Sequence, residues 1–209
     1  MDPRPSNIFP PSRYTEYMDK LSNTVQTERS KMLRGELYSA LDPELVAARV
    51  RARRLFARYN ASDPADINGR ASLLRDLLGY AGPDVAIEPP FYCDYGTQIT
   101  LGAGVFVNFA AVFLDPAQIT IGEQAQLGPY VQLLTADHPR DAATRAAGPE
   151  LAHPINIGAR VWLGGGVIVC PGVSIGADTT VGAGSVVVRD LPAGVVAAGN
   201  PCRVLRSLT

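Results

Sequence analysis

Residues 154–190 read PINIGARVWLGGGVIVCPGVSIGADTTVGAGSVVVRD, and an aliphatic side chain returns at every sixth place along them: Ile157, Leu163, Val169, Ile175, Val181 and Val187. A period of six is neither the 3.6 of a helix nor the 2 of a simple strand. It marks a parallel β-helix, in which short strands separated by turns climb a prism and each recurring aliphatic stacks on its copies above and below. Glycine follows Ile157, Leu163, Ile175 and Val181. It places a corner there, either because the backbone needs φ > 0 or because a Cβ has no room. Four places after the aliphatic come Val161, Val167, Val173, Thr179 and Ser185, small or β-branched as a tight interior demands.

Upstream the same spacing links Leu101, Val107 and Phe113, then, after a slip of two residues, Ile121, Leu127 and Leu133. Between the two blocks lies LLTADHPRDAATRAAGPELAHP, residues 133–154, which holds both histidines of the chain, His138 and His153. It reads as a loop, 134–154, thrown out from the prism, which itself spans 81–209.

Residues 24–80 carry a helical pattern. In DPELVAARVRARRLFARYN, Asp42 suits an N-cap and Pro43 the first helical position, and Leu45, Val46, Ala48, Leu55, Phe56 and Tyr59 fall near a 3.6 period. In SDPADINGRASLLRDLLGYAG, Asp63 and Pro64 repeat the cap, Leu73, Leu74, Leu77 and Leu78 form an apolar stripe, and Gly79 and Gly82 end it. The run Arg49, Arg51, Arg53, Arg54 and Arg58 reads as a solvated helix face or a phosphate patch. Residues 1–23, with Pro3, Pro5, Pro10 and Pro11, form an arm without periodicity.

The chain has 209 residues, 46% apolar and 19% charged, with a net charge of -1. That supports a soluble globular domain with a real core and gives no strong attraction to nucleic acid or anionic lipid. Neither a signal peptide nor a membrane span is indicated, since no stretch of about 18 uninterrupted apolar residues occurs. Cys93, Cys170 and Cys202 are odd in number and widely spaced. They fit reduced, buried thiols of a cytoplasmic protein.

IEPPFYCDYGTQITLGAGVFVNF, TADHP, PINIGARVWLGGGVIVCPGVSIGA and AAGNPCRVLR, with the helical MLRGELYSALDPEL and RARRLFARYN, together resemble the maltose and galactoside O-acetyltransferases of the hexapeptide-repeat superfamily. The resemblance runs from about Glu28 to Arg206. It implies a mainly β fold, a left-handed parallel β-helix behind an N-terminal helical region. It also implies a homotrimer with sites between subunits, acetyl-CoA as donor, no metal, and a maltose-, glucose- or galactoside-type hydroxyl as acceptor.

The family's catalytic histidine falls on His138 of TADHP. Imidazole, with an unperturbed pKa of about 6.5, suits removal of a hydroxyl proton as the oxygen attacks a thioester. Glu150 in GPELAHP matches an acidic residue that orients the imidazole in some members, and it also reads as a solvated loop carboxylate. His153 has no such match and marks the return to the coil. For the acceptor the resemblance points to Asn108 in FVNF, Asp94 in CDYG, Asp115 in FLDP and Arg49 in ARVR; Ala40 stands where some relatives have an aspartate. For the donor it points to Trp162, Gly165 and Ala183 along the pantetheine groove, and to Val188 and Arg189 in VVVRDLP. Arg203 and Arg206 in NPCRVLR suit the CoA phosphates.

Three rivals are weighed against this reading. A serine or xenobiotic acetyltransferase shares the scaffold, and a non-catalytic β-helix could serve as a binding module. A zinc carbonic anhydrase on a similar prism needs three histidines, and the chain has two.

Overall fold

A computed structural model describes residues 26–208; the arm expected at 1–23 lies outside them. The chain winds a prism with three parallel sheets as faces. The first face holds β1 (Tyr80–Ala81), β4 (Ile99–Leu101), β7 (Ile119–Ile121), β12 (Ile155–Ile157) and β15 (Ser174–Ile175). The second holds β2 (Ala86–Ile87), β5 (Phe106–Val107), β8 (Gln126–Leu127), β13 (Trp162–Leu163), β16 (Thr180–Val181) and β18 (Val195–Gly199), and is closed by the antiparallel β19 (Cys202–Ser207). The third holds β3 (Phe91–Cys93), β6 (Ala111–Leu114), β9 (Gln132–Leu134), β14 (Ile168–Val169) and β17 (Val186–Val187).

The six-residue repeat becomes three stacked columns. Leu101, Ile121, Ile157 and Ile175 pair in register on the first face; Val107, Leu127, Leu163 and Val181 on the second; Phe113, Leu133, Val169 and Val187 on the third. Every one of them is buried, and so are Val161, Val167, Val173, Thr179 and Ser185. The buried hydroxyls find backbone partners: Thr179 donates to the Pro192 carbonyl and Ser185 to that of Gly182, which removes the cost of burying a polar group.

The two explanations of the corner glycine separate cleanly. The glycine after the aliphatic does not have positive φ; it has no room. A Cβ on Gly158 would lie 2.4 Å from the Ala177 nitrogen of the next coil, and one on Gly164 2.6 Å from that of Ala183. Positive φ sits two residues later, where Gln124, Arg160 and Asp178 adopt it as well as Gly104. The third face is followed by no such glycine, and there the chain departs from the repeat. The slip of two residues between Phe113 and Ile121 falls at the edge leading from the third face to the first, as does the 134–154 excursion.

Helices α1 (Glu28–Leu33), α2 (Pro43–Asn60) and α3 (Ile67–Leu77) precede the prism. Asp42 caps α2, with Pro43 at its start. The cap of α3 is Asp66, which accepts from Gly69 N, and not Asp63, whose carboxylate is taken by Ala65 N in the preceding turn. Gly79 and Gly82 do not cap α3; they press against Thr97 and Ala103 where the chain enters the prism. Helix α2 buries Leu45, Ala52 and Tyr59, while Val46 is exposed. Asn60 accepts from Phe91 N at 2.9 Å and donates to Phe91 O at 3.0 Å; Tyr59 and Arg70 donate to Ile87 O. The cap thus satisfies backbone groups that the lowest coil would leave open. No described helix is long and apolar enough to cross a membrane.

Gly158→Ala should lower stability by about 2 kcal/mol or more, because backbone atoms must move to admit the methyl. Gly104→Asn, at φ +67 with its nearest atom at 3.6 Å, should cost less than about 1 kcal/mol, since Asn tolerates this conformation. Chemical denaturation of the two variants beside the wild type measures the contrast.

Candidate active site

The excursion is anchored where it leaves. Thr135 is fully buried, and its hydroxyl donates to Leu114 O at 2.8 Å while accepting from Ala117 N at 3.0 Å. Strands β10 (Ala136–Asp137) and β11 (Leu151–Ala152) then pair antiparallel, with a short helix, α4 (Ala142–Ala146), at the tip. His153 N donates to Thr135 O at 2.9 Å. The register pairs Ala136 with Ala152 and Asp137 with Leu151, and His138 and Glu150 are the next residues on the two arms of the hairpin, just beyond the last pair.

Glu150 is held from the other side too. Its N–H donates to Tyr38 O at 3.0 Å, its carbonyl accepts from Tyr38 N at 3.1 Å, and its Oε2 accepts from the Tyr38 hydroxyl at 2.9 Å. His138 is exposed, and its backbone N–H donates to Asp137 Oδ1 at 2.8 Å. Asp137 Oδ2 lies 3.2 Å from Arg140 and 3.9 Å from His153 Nε2. The two histidines therefore differ: His153 lies against the loop's own carboxylate, while His138 is exposed.

A polar cluster from the lowest coil lies beside this hairpin. The Asp94 carboxyl is raised above the usual range, first by burial, with Arg49 pulling it down and Glu150 pushing it up. Arg49 donates to the Tyr95 hydroxyl at 2.7 Å and to Ala40 O at 2.5 Å, so it is an ordered member of the site and not a solvated face. Asp115 does not line an acceptor surface. It is fully buried, and its carboxylate accepts from the backbone N–H groups of Asp94, Tyr95 and Gln98 at 3.0, 2.8 and 3.3 Å. Burial pushes this carboxyl up to about 7 against those three donors. Its work is to hold the turn that presents Asp94.

The remaining expected residues stand elsewhere. Asn108 follows β5 at the edge between the second and third faces, in the column occupied by Gly128, Gly164 and Gly182 in later coils. Gly165 and Ala183 stack above it on the same edge, tied by Gly184 N donating to Gly165 O at 2.9 Å. Trp162, 56% exposed, lies on the second face. Arg203 and Arg206 lie on β19 beside that face, both exposed. Val188 and Arg189 follow β17 on the loop's own edge. One chain therefore brings Glu150, Arg49 and Asp94 together, with His138 on the same hairpin as Glu150. It leaves Asn108, Gly165 and Ala183 across the third face.

Residues 31–82 match the family described as the maltose acetyltransferase hexapeptide capping motif, and residues 154–189 match the bacterial transferase hexapeptide, six repeats. The galactoside O-acetyltransferase of Escherichia coli is 37% identical over 186 residues, covering 89% of this chain and 91% of that protein. The crystal structure of a maltose O-acetyltransferase from Clostridium difficile superposes with a TM-score of 0.87 at 43% identity, covering 88% of this chain and 98% of the other. A hexapeptide-repeat acetyltransferase from Vibrio cholerae, solved with acetyl coenzyme A, gives 0.81 at 40% identity over 88% and 99%.

Asp115→Ala would leave three backbone donors without their acceptor and should cost at least about 3 kcal/mol. In the fraction that folds, the loosened Asp94 turn should raise acceptor KM while leaving the KM for acetyl-CoA near the wild-type value; paired melting and kinetic measurements test both halves.

Proposed function

The chain belongs to the maltose and galactoside O-acetyltransferase family of hexapeptide-repeat proteins, and from that we propose that it transfers acetyl from acetyl-CoA to a sugar hydroxyl, with His138 as general base. One observation carries the reading: the TADHP histidine is exposed at the end of an anchored hairpin whose other arm begins with Glu150. His138 takes the acceptor's hydroxyl proton as its oxygen attacks the acetyl carbonyl. The C–S bond then breaks, and the CoA sulfur leaves with the proton that His138 returns. Glu150 orients the imidazole.

The cysteines offer no good nucleophile for a covalent route. Burial pushes the thiols of Cys93, Cys170 and Cys202 all upward, away from the reactive thiolate. Direct transfer with both substrates bound follows.

Asp94 and Arg49 on the loop edge, and the Asn108 amide on the other, are the polar groups proposed to meet the acceptor's hydroxyls. Gly165 and Ala183 carry little or no side chain, so the pantetheine arm can approach their backbone, and the exposed Trp162 ring gives it an apolar wall. Arg189, Arg203 and Arg206 supply positive charge for the phosphates, and Val188 replaces a hydroxyl contact by an apolar one.

Because these groups occupy two edges of one prism, the complete site forms where the loop edge of one copy meets the Asn108 edge of the next. Repeated around an axis, that heterologous contact closes a trimer. Phe109 and Tyr130, 53% and 67% exposed on the Asn108 edge, are large apolar groups that a second copy would cover.

His138→Ala should reduce CoA thiol release by at least about a hundredfold on the best of a panel of maltose, glucose, galactosides, serine and antibiotics; near-wild-type turnover would sink the base assignment. Mixed assemblies of His138→Ala and Asn108→Ala subunits should recover activity that neither variant has alone. Absence of recovery in verified mixed oligomers would place the site within one chain.

A further inference from the structure

We infer that Tyr38 is a positioning residue for the reaction, its hydroxyl holding the Glu150 carboxylate beside His138. The inference rests on the reading of His138 and Glu150 given above. Tyr38 is 2% exposed, its ring packed with Met32, Leu45 and Tyr95 in a small core of its own. It exchanges both backbone hydrogen bonds with Glu150 and donates its hydroxyl to Oε2 at 2.9 Å. Tyr38 and Glu150 therefore stand side by side with their side chains on one face, and His138 follows the last paired residue, Asp137, on the facing arm of the hairpin.

The hydrogen bond has the right polarity for this role. A phenol gives one proton to one carboxylate oxygen, and the other oxygen stays available to an imidazole. Burial first, and then the Glu150 charge, push the Tyr38 phenol far up, so it remains a donor throughout the working pH range.

Charged groups surround the pair. Asp94 and Tyr95 approach from the lowest coil, and Arg49 and Arg53 from α2. Helix α1, packed against β11, brings Glu28 and Lys31, paired with each other at 2.6 Å. The loop itself carries Asp137, Arg140 and His153. Among the described residues Tyr38 is the one side-chain donor to Glu150.

The capping region, 112 residues away along the chain, thus reaches into the catalytic pair. A rigid buried ring fixes a carboxylate that would otherwise swing on an exposed loop, and the carboxylate fixes the imidazole.

The test is the pH dependence of kcat/KM for wild type, Tyr38→Phe, Glu150→Gln and the double variant. Phe keeps the buried ring and both backbone bonds. If Glu150 acts on His138, its charge favours the imidazolium, and loosening that carboxylate lets the acidic limb of the profile fall. Tyr38→Phe should move that limb down by roughly half a unit and lower kcat about fivefold, leaving the KM for acetyl-CoA unchanged. Glu150→Gln should move it further, and the double variant no further than Glu150→Gln alone.

An unmoved limb in Tyr38→Phe, with a shifted one in Glu150→Gln, overturns the inference and leaves Tyr38 a packing residue. An unmoved limb in Glu150→Gln overturns the pairing of Glu150 with His138, and the role of Tyr38 falls with it.

Discussion

Everything in this molecule depends on how closely one coil sits on the next. The inward columns stack in register, and at two of the three edges the backbones approach until a Cβ would lie 2.3 to 2.6 Å from a nitrogen of the coil above, as at Gly176, Gly158 and Gly128. Glycine is the residue that permits that distance. The same closeness forbids a functional side chain from growing out of the regular interior, so the chemistry has to be carried on edges and excursions.

The third edge is where the rule relaxes. No close-contact glycine follows Phe113, Leu133, Val169 or Val187, and here the chain inserts the bend around Asp115 and the hairpin that bears His138. Asp115 turns a break in the repeat into a fixed turn by collecting three N–H groups, and Thr135 does the same service for the hairpin. A buried polar group earns its place when every donor around it is satisfied.

The helical region has two tasks in one small structure. Tyr59, Asn60 and Arg70 close the open end of the lowest coil, and Tyr38 and Arg49 reach across to Glu150 and Tyr95. Truncating such a cap would therefore disturb the site as well as the end of the solenoid. Arg49 illustrates the point: on its helix it looks like one of several solvated arginines, yet its guanidinium is shared between Tyr95 and Ala40.

The sequence by itself determined the prism, its recurring inward aliphatics, the helical region and the place of the excursion, because each is a periodicity or a break in one. Motif matching singled out His138 and Glu150. Tyr38 carried no signal of its own: its partner is far along the chain, and a tyrosine in GELYSAL has no period to betray it. Asp115 looked like an acceptor contact because an aspartate beside a turn is the same letter whether it faces solvent or the backbone donors of the coil beneath. Only the tertiary structure decided those roles, and only it separated the site residues onto two edges. Hydrogen-bond partners and edges are properties of coils stacked in space, while a repeat is a property of residues counted along the chain.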